Sequence, residues 1–213
     1  MSGKLISLIL LLLLSIPLSA EYKKNVHSIS RREGLSNGAV NTIVKDAEGY
    51  IWLGTWNGLN RYDGSNIVTY LPGNNSNSIH NHVIRELYPT SSGPIWMLTN
   101  KGVGLYDNIH DIFTSYFTKE SEQINYENDI AISYSDSYGT LASVFGRGIF
   151  RFDSTTKQFN KIVFDQISQP ASLDIKRIHI VNNKAYCLTG SFQAMMIAGD
   201  HLEEIMKLPA TGT

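Results

Sequence analysis

The sequence predicts an all-β chain of β-propeller type, about four blades of four antiparallel strands each, and three observations predict it. A short apolar element, "GYIWLGT" (Gly49 to Thr55), recurs as "GPIWMLT" (Gly93 to Thr99), "GTLASVF" (Gly139 to Phe145) and "KAYCLTG" (Lys184 to Gly190). The steps from Trp52 to Trp96, Leu141 and Tyr186 are 44, 45 and 45 residues. A second element of Gly, four residues and Asp follows it, and strand-like runs flank both. Four short strands per unit of about 45 residues is the spacing of a propeller blade.

Each element has its own justification. The run that opens each unit is "VNTIVKD", "VIRELYP", "IAISYSD" or "IKRIHIV". The next carries the Trp or its replacement and is apolar on both faces, as expected of a strand sandwiched between neighbouring blades. The third is "GLNRYD", "GVGLYD" or "GIFRFD", and decays to "MMIAGD" in the last copy. The fourth is "IVTY", "IFTSYF", "FNKIVF" or "LEEIMKL". Turns such as "DAEG" and "TSSG" place Gly where positive φ is needed, and "YDG" is an Asp-Gly turn signal. The expected blades span about 34–72, 73–118, 119–165 and 166–210.

Composition narrows the partners. The 213 residues hold 18 Lys+Arg against 19 Asp+Glu, a net charge of −1, so nothing marks the chain for nucleic acid. Residues 1–20, "MSGKLISLILLLLLSIPLSA", read as a signal peptide: one cation at Lys4, an apolar run from Leu5 to Leu14, Pro17, and a small-residue close at Leu18-Ser19-Ala20. The mature chain would then begin at Glu21, in the periplasm or outside the cell, with an uncleaved membrane anchor as the alternative. Cys187 is the only cysteine, so no internal disulfide can form, and it reads as a small buried apolar group.

The stretch "GLSNGAVNTIVKDAEGYIWLGTWNGLNRYDG" resembles the two-component regulator propeller repeat through Gly34, Leu35, Ser36, Asp46, Gly49, Ile51, Trp52, Gly54, Thr55, Gly58, Leu59, Arg61, Tyr62 and Asp63. The second copy keeps Gly93, Ile95, Trp96, Thr99, Gly102, Tyr106 and Asp107, and the third keeps Gly139, Gly148, Arg151, Phe152 and Asp153. The resemblance implies a role in the periplasmic sensor region of hybrid two-component histidine kinases, which detects glycan-derived oligosaccharides. It also implies more blades than four, so the expectation is an incomplete, open arc from a truncated or split sensor. The partners it implies are an oligosaccharide and either the remaining sensor polypeptide or a second copy.

Trp52 and Trp96 hold equivalent repeat positions and are read as packing residues. Trp56 breaks the repeat: it stands in the turn between second and third strands, where the other copies have Asn100 and Gly146, and is a candidate platform for stacking a sugar. Those turns and the links between blades share one face of a propeller. The ligand-binding candidates gathered there are Trp56, Asn57, His80, Asn81, His82, Asn100, Lys101, Arg147, Phe192 and Gln193.

Catalytic and metal readings are weaker. "GLSNG" matches G-x-S-x-G, but lacks the buried strand before it and the helix after it that would present Ser36 as a nucleophile. His80 and His82 lack a third ligand. Asp63, Asp107 and Asp153 stand before turns and are expected to cap them. No phosphate loop, dinucleotide fingerprint or kinase motif occurs, so no catalytic residue, metal or cofactor is expected. The alternatives to a sensor are a propeller-type carbohydrate-active enzyme, a protein-interaction scaffold and a non-functional remnant.

Overall fold

The structure is a computed structural model that describes residues 28–75, 77–118, 130–164, 174–199 and 201–207. The leader at 1–20 and Asp200 lie outside them. Sixteen strands form four separate sheets, each a four-stranded antiparallel meander. Blade I holds β1 (Val40–Lys45), β2 (Ile51–Thr55), β3 (Gly58–Tyr62) and β4 (Ile67–Tyr70). Blade II holds β5 (Ile84–Pro89), β6 (Ile95–Thr99), β7 (Gly102–Asp107) and β8 (Ile112–Tyr116). Blade III holds β9 (Ile130–Ser135), β10 (Gly139–Val144), β11 (Gly148–Asp153) and β12 (Gln158–Lys161). Blade IV holds β13 (Ile175–Val181), β14 (Lys184–Thr189), β15 (Gln193–Ala198) and β16 (His201–Lys207).

The first strands meet at the centre, β1 against β5 and β9 against β13, which makes the fourth strands the outer edges. Residues directly opposite across a ladder share a sheet face, and the registers therefore sort every blade into a front and a back. Trp52, paired with Val44 and Arg61, faces forward into blade II. It stacks on Tyr70 of its own blade with ring centroids 5.9 Å apart and tilts against Tyr106 of blade II at 5.0 Å. Trp96 does the same against Phe152 and Phe159 of blade III, at 4.7 and 5.6 Å.

Three hydrophobic clusters result, one each between blades I and II, II and III, and III and IV. Among the described residues no fourth cluster joins blade IV to blade I, so the arc is open. Cys187 is buried in the last cluster, which pushes its thiol up to about 11 and keeps it protonated.

The recurring aspartates end the third strands as turn caps. Asp63 Oδ1 accepts from the N–H groups of Ser65 and Asn66, both at 2.7 Å. Asp107 accepts from Ile109 and His110, and Asp153 from Thr155 and Thr156. Bonds to backbone N–H favour the ionised form, and Asp63 and Asp153 sit below the usual carboxylate range for that reason. The glycine that opens the third strand in blades I, II and III is required by geometry. At Gly102 φ is +122°, and a Cβ would lie 2.6 Å from the Tyr116 carbonyl oxygen.

Candidate functional site

The turn between second and third strands and the link to the next blade are built together. In blade I, Trp56 N–H donates to the Ala39 carbonyl at 3.2 Å, and Gly58 N–H donates to the His82 carbonyl, in the next link, at 2.7 Å. Thr55 locks the turn: its Oγ1 accepts from Asn57 N–H at 3.1 Å and donates to the Gly58 carbonyl at 2.8 Å. Thr99 repeats both bonds in blade II, with Lys101 N–H and the Gly102 carbonyl, each at 3.0 Å.

Two of the sequence candidates are joined directly. His82 Nδ1 donates to Asn57 Oδ1 at 2.9 Å, and both residues are exposed. Trp56 stands beside them, 55% exposed, on a turn fixed by three backbone bonds. An indole face and an amide on one rigid turn, with an imidazole from the adjoining link, can stack on one ring and hydrogen-bond another polar group.

His80 points the other way. Thr99 Oγ1 has spent its proton on Gly102, so it accepts from His80 Nε2 at 2.9 Å. In blade I the equivalent position is Ser36, whose hydroxyl donates to Thr55 Oγ1 at 3.2 Å and accepts from Asn60 Nδ2 at 2.8 Å. Asn60 in turn corresponds to Gly104, where a Cβ would come within 3.4 Å of His80 Cε1. The imidazole of blade II thus takes the space that a serine and an asparagine share in blade I. The Ser36 hydroxyl is committed to this network, as its sequence context implied.

Burial lowers His80 to about 4, from an ordinary histidine value near 6.5. The unfolded chain therefore binds the proton more tightly than the folded one between those values. This contribution is fully present above pH 6.5 and is lost as pH falls toward 4, by up to about 3 kcal/mol. Urea unfolding of the wild type should weaken by that order between neutral pH and about pH 4.5, and His80→Gln should remove most of the difference. An equal pH dependence in both proteins would rule out His80 as its source.

The remaining candidates are distributed around the same face. Asn81 Oδ1 accepts from Val83 N–H, and Asn100 N–H donates to the Val83 carbonyl. Phe192 is exposed, and Gln193 donates to Glu204 Oε2 at 2.9 Å. Arg147 lies at the boundary of blades II and III, its guanidinium carbon 5.5 Å from the Phe117 ring centroid and 5.8 Å from that of Phe150. It borders a cleft of about 370 Å³ that Tyr116, Gln158 and Phe159 also line.

A second cleft, of about 290 Å³, involves none of the sequence candidates. It opens between the inner strands β5, β9 and β13, and its polar walls are Glu86, Tyr88, Arg177 and His179. Arg177 reaches Glu86 across it at 3.9 Å, while Tyr88 donates to Glu86 Oε2 and to the Ile132 carbonyl. Burial and the Glu86 carboxylate push the Tyr88 hydroxyl far above its ordinary value. A usable signal was present: "VIRELYP" and "IKRIHIV" carry charged residues where a sandwiched strand would be apolar.

Residues 34–57 match the family model described as two component regulator propeller. No curated protein matches the chain. Among solved structures, the extracellular domain of a protein assigned to a hybrid two component system of B. thetaiotaomicron superposes with a TM-score of 0.65 at 23% identity, covering 84% of this chain and 26% of its own. The extracellular domain of a protein assigned to a one component system of B. thetaiotaomicron gives 0.65 at 17% identity, covering 89% and 28%. Virginiamycin B lyase from Staphylococcus aureus gives 0.56 at 15% identity, covering 79% and 55%. These likenesses establish the fold. The chain spans about a quarter of the length of the two B. thetaiotaomicron domains.

Proposed function

Taking as premise that residues 34–57 carry a two component regulator propeller repeat, we propose that the chain is a ligand-sensing propeller segment of a two-component signalling system. In this reading it is exported by the leader at 1–20 and recognises a glycan-derived oligosaccharide. The observation that carries the reading is Trp56, an exposed indole on a rigid turn beside the bonded pair Asn57 and His82. A packing role accounts for Trp52 and Trp96, both buried, but leaves Trp56 unexplained. Sugar recognition uses that combination, an aromatic face for the apolar side of a pyranose and fixed polar groups for its hydroxyls.

Binding is favoured over catalysis by the inner cleft. A lyase built on a Tyr and His pair needs a tyrosine that can give up its proton, and Tyr88 is held protonated as a donor to Glu86. No helix among the described residues is long and apolar enough to cross a membrane.

The test is titration of the purified chain with glycan oligosaccharides while intrinsic Trp fluorescence is followed. A saturable response that Trp56→Ala abolishes, with the fold unchanged by circular dichroism, is the expected result. A response that survives Trp56→Ala, or no response from any oligosaccharide, sinks the assignment.

A further inference from the structure

The seam between blades II and III carries the cleft of about 370 Å³ that Arg147 borders, and its walls depart from the repeat. The turn between second and third strands has two residues in blade I, Trp56 and Asn57, and two in blade II, Asn100 and Lys101. Blade III has three, Phe145, Gly146 and Arg147, with Gly146 at φ +71° and Arg147 N–H donating to the Val144 carbonyl at 2.9 Å. Joining the two strands does not need the extra residue. Across the seam Phe117, just past β8, has φ +59°, a left-handed backbone that a residue with a Cβ keeps only where its surroundings hold it. Its ring packs on Phe150 and Phe159, with centroids 5.2 and 5.0 Å away.

Positive charge sits on this aromatic surface. The Arg147 guanidinium lies over the Phe117 and Phe150 rings, and no acceptor among the described residues takes its N–H groups. Stacking uses the face of a guanidinium and leaves its edge, where the five N–H donors lie, open to an acceptor. Lys161 pairs with Phe150 across β11 and β12 and so shares its sheet face, and its Nζ lies 3.6 Å from where a Cβ on Gly148 would stand. A second cation thus stands next to the residue that follows Arg147. No carboxylate lines the cleft among the described residues.

We propose that this cleft binds an acidic sugar, a pyranose that carries a carboxylate. The planar guanidinium matches a carboxylate through two parallel hydrogen bonds, and Lys161 adds charge without a directional demand. Tyr116 and Phe159 offer ring surface to the apolar side of the pyranose, while Ser115 and Gln158, both exposed, can reach its hydroxyls. A neutral sugar would leave both cations unanswered, and a small inorganic anion would leave the aromatic wall unused. The volume stands near the lower end of small-ligand sites, about 300–1,000 Å³, which suits one ring of a chain whose remainder lies outside. The cleft is built within one seam and uses neither end of the arc. That the ligand is a sugar rests on the sensing reading above; the site itself is separate from the Trp56 turn on blade I.

Calorimetric titration of the purified full chain with galacturonate and glucuronate disaccharides, each beside its neutral counterpart, tests the assignment. At least one uronate should bind about 10-fold or more tightly than its neutral counterpart, and the preference should shrink as NaCl is raised. Arg147→Gln should weaken uronate binding about 10- to 100-fold and Lys161→Gln about 2- to 5-fold. Arg147→Lys keeps the charge but loses the fork, so it should fall between wild type and Arg147→Gln. Both side chains are exposed, and circular dichroism should be unchanged in all three variants. Trp96, with its ring 5.9 Å from Tyr116 and 5.6 Å from Phe159, gives a fluorescence readout of the same seam. Equal affinity for acidic and neutral disaccharides overturns the proposal, as does uronate binding indifferent to Arg147→Gln, or no uronate binding by the folded chain. If neutral oligosaccharides still bind through Trp56 in that case, only the acidic site is lost. If uronate binding follows Arg147 while nothing follows Trp56, only the Trp56 site is lost.

Discussion

Replacing Trp52 with alanine should destabilise the fold by about 3–5 kcal/mol, whereas replacing Trp56 should cost no more than about 0.5 kcal/mol. Trp52 is 1% exposed and fills the seam between blades I and II, against Tyr70 and Tyr106. Its Nε1 donates to Asp46 Oδ2 at 2.7 Å, while Asp46 Oδ1 accepts from the N–H groups of Glu48 and Tyr50. The substitution therefore opens a void between two sheets and removes the tie between the indole and the first turn. The Arg61 guanidinium, 5.8 Å from the Trp52 ring and 4.9 Å from that of Tyr50, loses one of its two aromatic partners. Urea midpoints of the two variants, measured side by side, check the contrast. Similar small shifts in both would mean that the seam does not depend on Trp52.

The second large effect is expected where the blades differ from one another. Gly104→Asn alone should cost about 3 kcal/mol, because a Cβ there would lie 2.6 Å from Met97 Cγ and the new amide would enter space held by the His80 ring. His80→Ser alone should cost less, about 1–2 kcal/mol, by leaving a void and ending the bond from the ring to Thr99. Together the two changes recreate the serine and asparagine pair of blade I, where Asn60 Oδ1 accepts from Ser36 N–H at 3.0 Å. The double variant should be more stable than the sum of the single effects implies, by at least about 1 kcal/mol. It should stay below wild type, because Met97 stands where blade I has Leu53. Strict additivity would show that the two positions do not share one space.

What the sequence disclosed and what it concealed divide along physical lines. The blade is a local object: strand, turn, strand. "VNTIVKD" therefore marks β1, and the step from Trp52 to Trp96 marks β6, because both signals lie within a few residues of what they describe. The same holds for Asp63, Asp107 and Asp153, whose partners are two and three residues away. His80 belongs to a link between blades, so analogy with the repeat puts it on the loop face. Its inward turn depends on a missing side chain at Gly104, a residue 24 positions later on another strand. Only comparing two positions at once, Ser36 with Asn60 against His80 with Gly104, would have shown it. The inner cleft is less legible still, since Glu86 and Arg177 meet through the curvature of the arc across an intervening blade. The Asn57 and His82 contact was accessible, because the rule that turns and links share a face brings those two positions together.

The three clusters that serve four blades also describe how such a chain assembles. Within the described residues every ladder joins strands adjacent in sequence, and the apolar seams join only consecutive blades. The energetics then resemble a one-dimensional array, a sum of intrinsic blade terms and nearest-neighbour couplings with no term linking its ends. Ordering can start at any seam and spread in both directions, without first paying the entropy of bringing the two ends of the chain together. Blades II and III are each held from two sides and blades I and IV from one, so unravelling proceeds from the ends toward the middle.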